Sequence, residues 1–323
     1  MSETVSQARH GYAVEMIEIT KNFPGVLAND KVTIRIKTGE IHAIVGENGA
    51  GKSTLMKQLY GLYRQDSGEI RIFGEKKVFF GPRDAIKAGI GMVHQHFMLV
   101  DTLTATENVV LGSEPVKGLN FDIRGSRQKV KELSEKYGLY VDVDAKIEDM
   151  PVGMQQRVEI IKTLYRGAEI IILDEPTAVL TPQEVEELFL IMKNLQKDGK
   201  TILFISHKLN EVMEISERIT VMRGGKVTAE LITKETSERE IARAMVGRDV
   251  VLKIDKLPHR PGNVIFEVKD LWVKDNRRLE AVNGVSLQVR QGEVVGIAGV
   301  AGNGQTELVE AITGLRKTEK GQL

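Results

Sequence analysis

The 323-residue sequence contains no cysteine. That excludes disulfides, thiolate metal sites and cysteine nucleophiles, and it fits a reducing compartment. Net charge is absent as well: 45 Lys and Arg face 45 Asp and Glu, so no overall basic field recruits nucleic acid or anionic lipid. No run approaches the ~18 consecutive apolar residues of a membrane helix. Residues 1–9, reading MSETVSQAR, lack the apolar core of an export signal. The expectation is a cytosolic chain whose length allows one large or two ordinary domains.

What is present begins with Gly46 to Thr54, G-E-N-G-A-G-K-S-T. The apolar run Ile41-His42-Ala43-Ile44-Val45 before it predicts a buried strand, and Leu55, Met56 and Leu59 after it fit a helix face. Glycines 46, 49 and 51 let the loop wrap its N–H groups inward, and the helix adds its positive end, so Gly46, Glu47, Asn48, Gly49, Ala50 and Gly51 form a polyphosphate cradle. Lys52 would reach the β- and γ-phosphates. Ser53, followed by Thr54, would place its hydroxyl on Mg²⁺.

Residues 28 to 70 align without a gap onto 281 to 323, Lys52 falling on Gln305 at an offset of 253. Ala28, Gly39, Glu40, Gly46, Gly49, Gly51, Gly61 and Gly68 recur as Ala281, Gly292, Glu293, Gly299, Gly302, Gly304, Gly314 and Gly321. Two copies of one nucleotide-binding unit are implied. The expected organisation is a tail over 1–10, a first domain over 11–250, a polar linker over 251–263 and the start of a second copy over 264–323. About 60 residues with one helix would leave apolar faces uncovered, so the expectation is a fragment of a longer protein, a small natural cap being the rival.

Between loop and linker, short apolar runs alternate with helical segments, as in a wound α/β domain. Ala168 to Leu173 reads as a strand ending at Asp174. Thr181-Pro182-Gln183-Glu184 reads as a capping box, with Val185, Leu188, Phe189, Met192 and Leu195 as the apolar face that follows. Thr201 to Ile205 delivers His207 to the same sheet edge as Asp174, where ligands of such sheets sit. Asp174 would hold the Mg²⁺ shell and Glu175 would orient the attacking water, with Gln95 sensing metal and water and His207 donating to the γ-phosphate. His94 and His96 at i, i+2 make only a weak metal signal. Phe23 would stack on adenine, core packing being the default for such a ring.

Together these motifs resemble the ATP-binding subunits of ABC transporters, over nearly the whole chain. The resemblance implies a P-loop NTPase fold of α/β class with a helical subdomain, and the cofactors ATP and Mg²⁺. Gly46–Thr54 then matches the Walker A loop, Gln95 the Q-loop, Ile170–Glu175 the Walker B strand and His207 the switch histidine. Pro151, Val152, Gly153, Met154 and Gln155 fall where the family carries its signature. The tandem layout, with the segments Asp174 to Pro182 and Phe23 to Val26, looks like importers of ribose-type sugars and more narrowly of nucleosides. The family implies two membrane permeases as partners, an external solute-binding protein served indirectly, no nucleic acid, and a peripheral place on the cytoplasmic face of the membrane. The segment from Phe97 to Gly112, including Met98, Leu99, Val109, Val110 and Leu111, is expected to bear the groove for a permease helix.

Two departures from the family pattern fall on one composite site if units pair head to tail. Pro151 replaces a serine and offers neither hydroxyl nor N–H, although Gly153 keeps its N–H. Gln305 replaces the lysine of the second loop, and a neutral amide cannot offset phosphate charge. One competent and one degenerate ATP site are therefore expected. The rivals are a subunit that binds nucleotide without turnover, and a soluble ATPase working on ribosomes or DNA, against which the short linker and balanced charge speak.

Overall fold

The computed structural model describes residues 11–95, 97–117, 120–248, 261–276, 278–300 and 302–323. The expected tail, His96 and nearly all of the expected linker lie outside them. Two compact units divide the chain, 1–252 and 253–323.

The first unit opens with β1 (Tyr12–Phe23), β2 (Val26–Lys37), β3 (Ile41–Gly46) and α1 (Lys52–Leu59). Then come β4 (Ser67–Ile72), β5 (Glu75–Lys77), α2 (Pro82–Lys87) and β6 (Ile90–Val93). A helical region holds α3 (Ala105–Val110), the short hairpin β7 (Val116–Lys117) and β8 (Asn120–Phe121), α4 (Ile123–Tyr137) and α5 (Val152–Tyr165). The unit finishes with β9 (Ile170–Asp174), α6 (Pro182–Lys197), β10 (Thr201–Ile205), α7 (Leu209–Ile215), β11 (Arg218–Arg223), β12 (Lys226–Ile232) and α8 (Glu238–Val246).

A six-stranded sheet runs β12-β11-β3-β10-β9-β6, parallel throughout except for β12. Its central strands are apolar on both faces because both are covered. Ile41, Ala43, Val45, Ile171, Leu173, Ile202 and Phe204 enter a core shared with α3 to α8. Ile44, Ile170, Ile172, Leu203 and Ile205 face the other way, into a core shared with α1 and a separate antiparallel sheet, β2-β1-β4-β5. That second sheet was not anticipated as a layer of its own, although Val32, Ile34 and Ile36 alternate inward along β2 with the period of a half-buried strand.

Helix α6 starts where its chemistry requires. Thr181 accepts from the Glu184 N–H while the Glu184 carboxylate accepts from the Thr181 N–H, and Pro182 occupies the first turn. Leu188, Phe189, Met192 and Leu195 are buried, with Phe189 edge-on to Phe204 at 6.3 Å.

At the amino end of β3 a polar network is buried. His42 lies between the Glu40 carboxylate (Nδ1 to Oε1, 3.1 Å) and the Thr220 hydroxyl (Nε2 to Oγ1, 2.7 Å). The Lys37 N–H and the Arg218 guanidinium also donate to Glu40.

The second unit pairs β13 (Val264–Lys274) with β14 (Glu280–Arg290) and β15 (Lys320–Gln322), and packs α9 (Gln305–Ile312) on a small core of Val268, Leu271, Val273, Val282, Leu308 and Ala311. Local geometry repeats at the 253-residue offset: α1 and α9 both have eight residues, and the Arg290 N–H donates to Glu293 as the Lys37 N–H does to Glu40. The counterpart of β3 differs. Residues 293–300 form no strand, and Val294 is 97% exposed where its equivalent Ile41 is 1% exposed.

Candidate functional site

Strands β9 and β10 end level, Ile205 pairing with Asp174, while β3, whose Ile44 also pairs with Ile205, runs two residues further to Gly46. One sheet edge thereby collects the loop Gly46–Thr54, the carboxylates Asp174 and Glu175, and His207. A glycine is required at position 46, where a Cβ would lie 2.3 Å from the Met222 carbonyl oxygen. Glu47, Asn48 and Gly49 form the exposed crest of the loop, and α1 starts at Lys52.

Lys52 is 5% exposed, its ammonium donating to the carbonyls of Gly46 at 2.8 Å and Glu47 at 3.0 Å. Burial depresses its pKa, while the charges of Glu175 and Asp174 oppose that fall. The Ser53 hydroxyl donates to Asp174 Oδ1 at 3.3 Å. Burial raises the Asp174 pKa and the Glu175 charge adds to it, against the Ser53 hydrogen bond. A hydroxyl and a carboxylate so placed are the hard oxygen donors that Mg²⁺ takes together with water and phosphate.

Glu175 turns out of its strand with φ at 49°, a left-handed conformation that a non-glycine residue adopts only under constraint. Its N–H is tied to the Ile205 carbonyl at 3.1 Å. The turn sets the carboxylate between two groups. Gln95 Nε2 donates to Oε2 at 3.3 Å, and His207 Nδ1 lies 3.5 Å from Oε1.

Phe23 sits at the end of β1, half-buried, edge-on to Tyr63 at 5.5 Å and with the Lys21 ammonium 5.4 Å from its ring centre. His94, the described member of the weak histidine pair, packs edge-on to Tyr60 at 5.8 Å, and its pKa is lowered by burial and by Lys57 and Lys162. Among the described residues no three His, Cys, Asp or Glu are grouped to hold a metal.

Pro151 caps α5 without a side-chain bond, Val152 is exposed, and Gly153 is buried against Glu184. Met154 donates its N–H to Pro151, and the Gln155 amide donates to the carbonyls of Ile147 and Met150. These residues open a helix of their own. The link to the carboxylate edge runs through a neighbour that sequence reasoning missed: the buried Gln156 amide donates to the Pro176 carbonyl at 2.8 Å. Also missed was Glu211, which accepts from Thr177 Oγ1 at 2.6 Å and from Ser206, and pairs with Lys208 at 2.9 Å. The bonds that tie these two residues to the carboxylate segment reach Pro176 and Thr177, 20 and 34 positions away, and no local pattern marks them.

The family model described as ABC transporter matches residues 29–178, which include the loop Gly46–Thr54, Gln95, residues 151–155, Asp174 and Glu175. The chain is 54% identical over 312 residues to the guanosine import ATP-binding protein NupO of Bacillus subtilis, covering 97% of this chain and 61% of that protein. The first unit carries an ABC-type nucleotide-binding domain. The nucleoside import ATP-binding protein NupA of Lactococcus lactis subsp. cremoris is 53% identical over 310 residues, with 96% of this chain and 61% of the relative covered. The glucose import ATP-binding protein TsgD13 of Haloferax volcanii is 46% identical over 338 residues, with 96% and 62% covered. The chain spans about three fifths of the length of the curated relatives it matches.

Solved cassettes carry the same fold. A crystal structure of an ABC transporter cassette in its ADP conformation superposes with a TM-score of 0.65 at 25% identity, covering 73% of this chain and 99% of that one. A dimeric cassette in a post-hydrolysis state, bound to ADP and Pi, gives 0.61 at 29% identity, covering 69% and 100%.

The apolar residues of the expected groove divide between core and surface. Val109 and Val110 are 0% and 1% exposed, because α3 turns that face into the core against α5. Met98 and Leu111 are the exposed members. Beside Met98 a cavity of about 220 Å³ is lined by Tyr60, Met92, His94, Glu159 and Lys162.

Proposed function

We propose that this chain is the ATP-binding part of an importer that hydrolyses ATP to drive a nucleoside, or a simple sugar, through a membrane permease. The observation that carries the reading is the ring at one sheet edge: Lys52 in its loop, Ser53 bonded to Asp174, and Glu175 held between Gln95 and His207. The nucleoside and sugar import named for its relatives supports the solute class.

On ATP binding, Lys52 leaves its two carbonyls for the β- and γ-phosphates, while the loop N–H groups and the positive end of α1 hold the remaining oxygens. Ser53 and Asp174 would hold Mg²⁺, assisted by Gln95; the ion supplies positive charge at the phosphate oxygens. Glu175 orients the attacking water and takes its proton. His207 donates to the γ-phosphate, and Phe23 stacks on adenine.

The tandem organisation supports two composite sites in the complete protein. The first loop, with Glu175 and His207, makes the competent site, and Gln305, standing where the first loop has Lys52, makes the other one degenerate. Met98 and its neighbouring cavity offer a place for a permease helix, on the cytoplasmic face of the membrane. Two permeases and an external binding protein complete the assembly. In the full-length tandem protein, Lys52→Ala and Glu175→Gln are each expected to abolish phosphate release; near-normal turnover in either refutes the assignment. A second reading, nucleotide binding without turnover, is favoured by the uncapped Pro151 start of α5. It predicts that the unaltered full-length protein binds ATP and releases no phosphate.

A further inference from the structure

The phosphate loop rests on a polar pair that its repeat lacks. Asn29, 0% exposed on β2, donates its side-chain amide to the Gly51 carbonyl at 3.2 Å. Gln58, 0% exposed on α1, donates to Asn29 Oδ1 at 2.8 Å and to the Thr54 carbonyl at 3.3 Å, and its own Oε1 is buried with no hydrogen-bond partner among the described residues. Burying amides in this way is costly, and an orphaned acceptor costs more, so an apolar pair of suitable shape would serve packing better. At the 253-residue offset the second unit has that apolar pair: Val282 and Ala311, 3% and 1% exposed, occupy the positions of Asn29 and Gln58. The surrounding backbone is alike in both units. A Cβ on Gly51 would lie 2.3 Å from the Ala28 carbonyl oxygen, and one on Gly304 would lie 2.2 Å from that of Ala281.

What distinguishes the units is the residue that follows the clamped carbonyl: Lys52 in the first, Gln305 in the second. The Gly51 carbonyl and the Lys52 N–H belong to one planar trans peptide and point in opposite directions. Gly51 itself is left-handed, with φ at 97°, a conformation with little intrinsic preference for a single setting. The Gly51 carbonyl already accepts the first helical bond from the Leu55 N–H at 2.9 Å, and the Asn29 amide adds a second restraint on the same peptide that helps hold the Lys52 N–H toward the cradle.

We propose that Asn29 and Gln58 are a positioning pair that sets the peptide between Gly51 and Lys52 for phosphate binding, a role the second unit has given up together with its lysine. This rests on the reading of Gly46–Thr54 as the nucleotide cradle. Neither side chain touches the nucleotide. Both act through the loop.

The test separates packing from positioning by transplanting the second unit's residues. Asn29→Val, Gln58→Ala and the double variant are made in this chain. Each is measured for melting temperature without nucleotide and for MgATP affinity by calorimetry. Each single variant takes one partner from a buried amide, leaving Gln58 with the Thr54 carbonyl or Asn29 with the Gly51 carbonyl, and is expected to melt lower than the parent. The double variant is expected to recover the parent's melting temperature while its MgATP affinity stays about tenfold weaker, the loss of about one buried hydrogen bond's worth of pre-organisation. If the double variant recovers affinity along with stability, or never loses it, the pair is structural and the proposal fails. Parent protein that does not bind MgATP at all would instead overturn the cradle reading itself, and Lys52→Ala serves as the non-binding reference.

Discussion

Single residues here act through what surrounds them. Glu40 shows this at the base of β3, the strand that delivers the phosphate loop. Burial pushes its carboxyl pKa up, but the His42 hydrogen bond and charge, the Lys37 N–H and Arg218 together pull it below the ordinary value of 4.5. A folded-state pKa below the unfolded one means that the stabilisation is present above the ordinary value and is lost as pH falls through the depressed one. Glu40→Gln is therefore expected to cost about 2 kcal/mol at neutral pH, as loss of a charge-assisted buried bond does. That deficit should shrink as pH falls below 4.5, and melting curves of both proteins across pH 3 to 7 check it. A deficit independent of pH would mean that the carboxylate charge contributes nothing.

Elements meet through side chains placed at their ends. The start of α5 and the start of α6 lock together where Gly153 leaves room for Glu184, since a Cβ at 153 would fall 2.3 Å from Glu184 Oε1. The same carboxylate closes the α6 capping box through Oε2. Gly153→Ala is expected to push Glu184 out of the box, at about 1 kcal/mol for the lost cap, or roughly 2–4 °C in melting temperature. Adding Glu184→Ala should then cost almost nothing further, because the cap is already gone. Calorimetric melting of the two singles and the double gives the coupling directly, and additive losses would show that the two helix starts are independent. Helix α6 follows the Glu175 turn and α5 opens at Pro151, so this contact and the Gln156 bond to Pro176 tie the two segments together.

At the scale of the whole molecule, the two units differ in completeness of their sheets. The first buries β3 on both faces; the second leaves the equivalent Val294 97% exposed. If units of this family pair head to tail, a homodimer of this chain would set Pro151 against the intact loop. The chain by itself is accordingly expected to bind MgATP with little turnover. Calorimetry paired with a phosphate-release assay measures both, and brisk, cooperative hydrolysis would contradict the composite-site reading.

The sequence by itself determined the local chemistry: the strand, glycine loop and helix around Lys52, the capping box at Thr181, and the 253-residue repeat with its lysine-to-glutamine change. Each is written in neighbouring residues or a fixed offset, where backbone preference and periodicity decide the outcome. Only the tertiary structure decided which distant side chains meet. The antiparallel sheet over α1, the burial of Val109 and Val110, the setting of Glu175 between Gln95 and His207, and the Asn29–Gln58 support all depend on packing between separate elements. Such contacts follow from layers closing on a shared core, and a linear pattern of apolar and polar residues does not encode which partners that closure brings together.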